Sequence, residues 1–460
     1  MTTYALIHKF SFAYVPAYQQ EGLNVMAKDA VGYALSALNK MAGSNVLDKM
    51  GLRKLVERIA YTLTRTGFQV ITTTARTFKS TQKLDKPQRL NAPGHTTDLF
   101  DLNVTDEQQM IRDSVKSFAS EVLRVKAEEA DREDVTSAET LAAAQELGLN
   151  YFAVPETLGG AAAERSDVTT MLVAEDLAWG DMGQAIAILA PMSVANALTR
   201  WGSAEQQAKY LPAFTSENPP PATIAVAEPH VLFDPMQLHT TAVKKGDSWI
   251  LNGSKSLVPV AAEAELFLVA AQTEDGPAVF IIEGGTEGLV CGDDPGMGVR
   301  AAAMRPLTLT NVKIPATNKL GVEDFDYRAF IDLGTIAWCA LAVGTCQAVL
   351  EYVIPYCNER IAFGEPISHR QAVAFMIADM AIELDGMRLL TWRAASRAEQ
   401  GKSFQREAHL ARTLVKEKAM KIGTDGVQLL GGHGFTHEYP VERWYRDLRI
   451  IAVAFGGLHL

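Results

Sequence analysis

The sequence predicts a mainly α-helical protein with a small β domain set between two helical parts. Three observations carry this. Capped, amphipathic segments run from Thr105 to about residue 215; a proline break at Pro219-Pro220-Pro221 opens a series of short strand-like runs; and after Asp324 the chain is helical almost to its last residues. The expected divisions are 1–97, a basic extension and linker; 98–222, a helical N-terminal domain; 223–322, a β middle domain; and 323–460, a C-terminal four-helix bundle.

The first 90 residues hold about 13 Lys/Arg against about 5 Asp/Glu, although the whole chain has a formal net charge of −11. Within this head, Leu52, Leu55, Val56, Ile59 and Leu63 recur at helical spacing over Gly51–Thr66, with Arg53, Lys54, Arg58 and Arg65 between them. Three readings stay open for it: a peripheral membrane contact through residues 51–79, a helix packed on a partner or on its own core, and an organellar targeting segment. Ser80 to Thr97 is polar, contains Pro87 and Pro93, and reads as a linker.

The first helix of the body should start at a capping box made by Thr105 and Gln108. Met110, Ile111, Val115, Phe118, Val122 and Leu123 supply its apolar face. Strands are expected at Trp249–Leu251, Leu266–Ala271, Ala278–Ile282 and Leu307–Ile314, paired antiparallel, with a turn at Asp275-Gly276. In the bundle, Met376, Met380, Leu384, Met387 and Leu390 fall on one face.

The four cysteines, Cys291, Cys339, Cys346 and Cys357, lack paired or disulfide-framework spacing; Cys339 and Cys346, seven apart in an apolar stretch, read as buried thiols, and a reducing compartment is expected. No metal site is expected. No apolar run is expected to reach the ~18 residues of a membrane span. The acidic body argues against nucleic-acid binding. The expected location is the cytoplasm, peripheral at the membrane if the head binds there, or the mitochondrial matrix in a eukaryote.

Ordered phrases then narrow the class. Gln108–Phe118, Gly148–Gly160 with Val154-Pro155-Glu156, Asp176–Asp181, Gly202–Pro212, Gly296–Arg300 and Val312–Gly321 follow one another. Arg360–Ile367, Gln428–Phe435, Tyr439–Arg443 and Tyr445-Arg446-Asp447 complete the series. Over about residues 100–457 the chain resembles the acyl-CoA dehydrogenases. The resemblance implies that family's fold, FAD as cofactor, an acyl-CoA thioester as substrate, and a homo- or hetero-oligomer, either dimer or tetramer.

The family's chemistry removes a proton beside the thioester and passes hydride to FAD, so it needs a carboxylate base and a flavin ring held against the substrate. By resemblance, Arg360, Phe363, Gln371, Gln428, Gly431 and Gly432 would hold the ADP end of FAD. A guanidinium clamps phosphate and glycines admit a close backbone. Asp332 matches an aspartate of a family substrate-binding element whose arginine is here Thr335.

The flavin-facing residues depart from the pattern. In Ala225–Asp234, which aligns with the family's TEPxAGSD loop, the hydroxyl positions are Ala227 and Phe233 and the glycine is Leu232, so two bulky side chains are expected against the ring. In Lys255–Val260 the flavin-packing tryptophan, the threonine and the asparagine are Leu257, Pro259 and Val260. The two positions where family members carry the catalytic glutamate are Phe455 and Gly334. Asp332, Glu351 and His433 are the replacement bases to test, and the catalytic residue is otherwise unknown. Three readings follow: FAD-dependent α,β-dehydrogenation of an acyl-CoA with a relocated base; a catalytically degraded member serving as a subunit, scaffold or acyl-CoA binder; and a flavin monooxygenase on the same fold.

Overall fold

A computed structural model describes residues 100, 102–161, 166–294, 296–321 and 325–459. The amphipathic segment at 51–66, the membrane contact expected at 51–79 and the linker at 80–97 lie outside the described residues.

The capping box forms as the sequence predicts. Thr105 Oγ1 accepts from the Gln108 amide and Gln108 Oε1 from the Thr105 amide, opening α1 (Asp106–Phe118). A π-turn at Ala119–Leu123 joins α1 to α2 (Arg124–Glu133). Next come α3 (Ala138–Glu146), α4 (Asp167–Gly180), α5 (Met182–Trp201), which Asp181 caps through the Gln184 amide, and α6 (Ala204–Tyr210).

The β domain holds β1 (Ala222–Ala225), β2 (Thr241–Lys245), β3 (Ser248–Val258), β4 (Leu266–Thr273), β5 (Gly276–Glu283), β6 (Leu289–Cys291) and β7 (Arg305–Pro315). The four expected strands lie inside β3, β4, β5 and β7. Their sheet is not wholly antiparallel, because β1 runs parallel to β4 and a single bridge joins β2 to β4 in parallel. Four-residue β1 is buried throughout, Thr223 included, and lacks the alternation that would flag a strand. Strand β4 is buried on both faces: Leu266, Leu268 and Ala270 enter the main core, while Phe267, Val269 and Ala271 enter a second core inside the sheet with Trp249 and Phe280.

The bundle begins with α7 (Tyr327–Glu359), followed by the hairpin β8 (Ile361–Ala362) and β9 (Glu365–Pro366), then α8 (Gln371–Glu399), α9 (Gln405–Leu430) and the short α10 (Val441–Asp447). On α8, Met380, Leu384 and Met387 are buried, and Met376 and Leu390 pack beside them. Two helices, α5 and α7, are long and apolar enough to cross a membrane, contrary to the expectation from the sequence. Both are core helices enclosed by the rest of the fold. At Gly344 a Cβ would meet the Glu175 carbonyl at 2.0 Å, so glycine is what lets α7 and α4 touch.

The signature at the end of the bundle is a clamp. Arg446 Nη1 and Nη2 donate to the two carboxylate oxygens of Asp131 on α2 at 2.9 and 2.7 Å, and its Nε donates to Glu442 at 2.8 Å. Asp447 accepts from the Val299 amide, and Arg443 lies 3.4 Å from buried Asp181. These residues tie the bundle to both other parts of the fold.

Candidate functional site

Two ends of one helix carry the residues of interest. Gly334 lies in the third turn of α7; Arg360 caps its far end, ~39 Å along the axis at 1.5 Å per residue.

At the far end, Arg360, Phe363, Gln371, Gln428, Gly431 and Gly432 are all exposed. They stand on the cap of α7, the β8–β9 hairpin, the start of α8 and the turn after α9. That turn is tied to α7 by Tyr356, whose hydroxyl lies 2.8 Å from His433 Nδ1 and 3.4 Å from the Leu430 carbonyl. Gly431 has φ +58°, and a Cβ on it or on Gly432 would meet nothing within 4 Å. This open glycine backbone beside an arginine fits the phosphate-bearing end of FAD. Ile361, Phe363, Phe375 and Phe435 are exposed apolar side chains on the same elements, and Phe363 is 96% exposed.

The other end is closed. The loop after β1 is pinned by Glu228. Its Oε1 accepts from the Thr240 amide and from Lys255 Nζ at 2.8 Å, and its Oε2 accepts from the His239 amide at 2.7 Å. Lys255 also donates to the Val226 carbonyl and is fully buried. Burial pushes the Lys255 ammonium down to about 8 against the pull of Glu228. Burial would raise the Glu228 carboxyl, but the Lys255 charge and hydrogen bond and the two amides hold it below the usual carboxylate range.

Phe455 is the residue that the sequence resemblance sets at the family's base position. Its ring meets Phe233 edge-on, centroids 5.7 Å apart, and the Arg412 guanidinium lies 3.8 Å over its centroid. Of the two bulky side chains expected against the ring, Phe233 packs on Phe455. Leu232 points into solvent, 93% exposed, with its backbone at φ +58°. Leu257 and Val260 likewise have positive φ, +54° and +43°, so several apolar residues sit in strained backbone where the flavin-facing loops meet. Buried Ala227 offers no hydroxyl, and Pro259 no amide. The residues at this end therefore do not fit the flavin ring as the family holds it.

None of the three replacement bases reaches this end. Asp332 is two residues from Gly334 and so ~200° around α7. It pairs with Arg328 at 3.4 Å, and burial pushes its carboxyl up to about 6. Glu351, ~25 Å along α7 from Gly334, accepts from Trp179 Nε1 and Gln347 Nε2, both at 2.7 Å. His433 is stacked on Tyr439, centroids 4.9 Å apart, at the Arg360 end.

Glu228, His230 and His239 bring three ligand atoms within 4.8 Å of one another. Sequence spacing offers little sign of this, since the two histidines are nine residues apart in a loop. Their rings are stacked at 4.1 Å and only 15° from parallel, so no point near the nitrogens lies in both ring planes. Both Glu228 oxygens are already engaged. This arrangement is a packed pair of rings over a salt bridge rather than a metal centre.

Comparison with known proteins agrees with this map. Family models described as acyl-CoA dehydrogenase N-terminal, middle and C-terminal domains match residues 105–218, 223–312 and 327–457. A short/branched chain specific acyl-CoA dehydrogenase of Bos taurus, a mitochondrial protein, is 33% identical over 362 residues, 76% of this chain and 83% of the relative. Butyryl-CoA dehydrogenase from Megasphaera elsdenii superposes with a TM-score of 0.71 at 30% identity, covering 77% of this chain and 95% of that one. A glutaryl-coenzyme A dehydrogenase in complex with glutaryl-CoA gives 0.70 at 30% identity, over 76% and 92%.

Proposed function

The chain belongs to the acyl-CoA dehydrogenase family, and from that premise we propose that it is a non-catalytic member, a subunit that keeps the nucleotide-facing end of the fold without the family's α,β-dehydrogenation. One observation carries the reading: Phe455 at the base position, closed between Phe233 and Arg412. A phenyl ring accepts no proton, and the other base position is Gly334. Loss of the base alone would leave flavin monooxygenation open. The missing hydroxyls at Ala227 and Phe233 and the strained backbone at Leu257 and Val260 argue against any chemistry that needs the ring held.

FAD, where the family binds it, would contribute hydride acceptance; in this chain Arg360, Gln428, Gly431 and Gly432 would hold its ADP end. Those residues and the exposed Phe363, Phe375 and Phe435 suit a surface covered by a second copy or by an active relative.

The test is the visible spectrum of purified protein after incubation with FAD, recorded before and after adding butyryl-CoA under anaerobic conditions. The expected result is no bleaching of any flavin band. Stoichiometric bleaching would overturn the reading. Phe455→Glu is expected not to restore turnover, because the new carboxylate would pair with Arg412 instead of serving as a free base.

A further inference from the structure

Beyond Phe455 the chain does not leave the site; it runs into it. Gly456, Gly457, Leu458 and His459 are all buried between α5, α7 and β1. The Gly456 carbonyl accepts from Trp338 Nε1 at 2.6 Å, and the His459 carbonyl accepts from Asn196 Nδ2 at 3.3 Å. The His459 ring sits against Trp201 and Phe330, centroids 4.7 and 5.3 Å away.

Glycines make the passage. On Gly334 a Cβ would come within 2.8 Å of the Leu458 carbonyl oxygen and 3.1 Å of the Gly456 Cα. On Gly456, with φ +60°, a Cβ would come within 2.3 Å of Val226 Cγ2. The segment buries the side chains of Leu458 and His459, threads Gly456 past Gly334 and Val226, and offers two of its carbonyls to side-chain donors from two separate helices. Its path fills the space between positions 334 and 455, the two places where the family sets its base.

We propose that Gly456–His459 is a built-in occupant of an apolar channel, held there in place of an acyl ligand, and that Gly334 is the residue that admits it. Gly456 and Gly457 bend the segment, with φ +60° and +78°. The channel vacated by the segment would accept a linear acyl chain bearing a carbonyl, with the Trp338 indole and the Asn196 amide as its donors and apolar walls from Ile224, Val226 and Phe330. A side chain at 334 would collide with the segment, and the segment in place leaves no room for substrate beside 455.

This inference concerns ligand access, and its test is run on flavin-free protein, so it can fail while the non-catalytic reading stands, and the reverse. Dodecanoyl-CoA binding is measured by calorimetry for the full chain and for a variant stopped at Ala454. The shortened variant is expected to bind at least tenfold more tightly, and equal affinities would overturn the proposal. Gly334→Leu in the full chain guards against a shortened variant that fails to fold. The added side chain should expel the segment, raising amide exchange at 456–459 at least tenfold while the middle of α7 stays protected. Unchanged exchange at 456–459 would equally overturn it.

Discussion

Around Arg360, Gly431 and Gly432 the backbone is open to solvent and polar groups stand free to meet a ligand. Around Gly334 and Phe455, ~39 Å away on the same helix, glycines serve the opposite purpose and let the protein close on itself. The same residue type thus leaves an open backbone at one end and a filled slot at the other. What separates them is the neighbouring atoms, which motif matching does not see. The contrast also divides the family signature into parts with different reasons to persist. Arg443, Arg446 and Asp447 clamp the bundle to Asp131, Asp181 and Val299, a role that requires no catalysis.

The largest effect should come from the closed end. Glu228→Gln leaves the Lys255 ammonium buried without its counter-charge, which should destabilise the fold by ~3–5 kcal/mol, read by urea denaturation. At the open end Arg360→Ala should change stability by no more than ~0.5 kcal/mol, since its side chain is exposed. A small loss at Glu228 would mean that the closed end is no more tightly built than the open one.

Arg360→Ala should instead act on ligand binding. If the open end is a retained nucleotide cradle, the substitution should weaken ADP or FAD binding about 10- to 100-fold, the ~1.5–3 kcal/mol of a charge-assisted hydrogen bond. Equal binding by both proteins would remove one half of the contrast.

The clamp between the two ends should make stability depend on pH. Burial, then the charge of Asp181, pushes the Asp447 carboxyl up to about 7, against ~3.9 in an unfolded chain. A carboxyl whose folded value is raised contributes stability that is present in full below the unfolded value and is lost as pH rises through about 7. Unfolding free energy should therefore fall from pH 4 to 7 by up to ~1.4 kcal/mol per pH unit. Asp447→Asn keeps an acceptor for the Val299 amide and should flatten that slope. Parallel pH profiles for the two proteins would refute the assignment.

Much of the fold was legible because its signals are local. The Thr105–Gln108 capping box and the apolar face of α8 are periodicity and capping written directly in the sequence. The parallel seat of β1 was not legible, since a four-residue strand buried on both faces has no period to read. At the site, the ordered motifs pointed to the family and to the residues Arg360, Gly431, Gly334 and Phe455. They could not reveal that residues 456–459 fill the gap, because that depends on contacts with Asn196, Val226 and Gly334, more than 120 residues earlier. Leu232 makes a related point, since its backbone at φ +58° leaves the side chain 93% exposed. Substitution at an aligned position specifies a side chain but not where the backbone aims it.

Leu232 gives the smallest and sharpest test of that last point. Its φ of +58° is a conformation that costs an L-residue ~1–2 kcal/mol and costs glycine little. With the side chain 93% exposed, few contacts offset the strain. Leu232→Gly should therefore raise stability by up to ~1 kcal/mol, part of the relief being lost to the greater freedom of glycine in the unfolded chain. Thermal unfolding of the two proteins measures it. A gain would mean that the loop still holds a backbone shaped for glycine after its ring-facing partners have gone. A loss would mean that the leucine has acquired a contact of its own, most readily under a second copy covering this surface, and unfolding at several protein concentrations separates those cases.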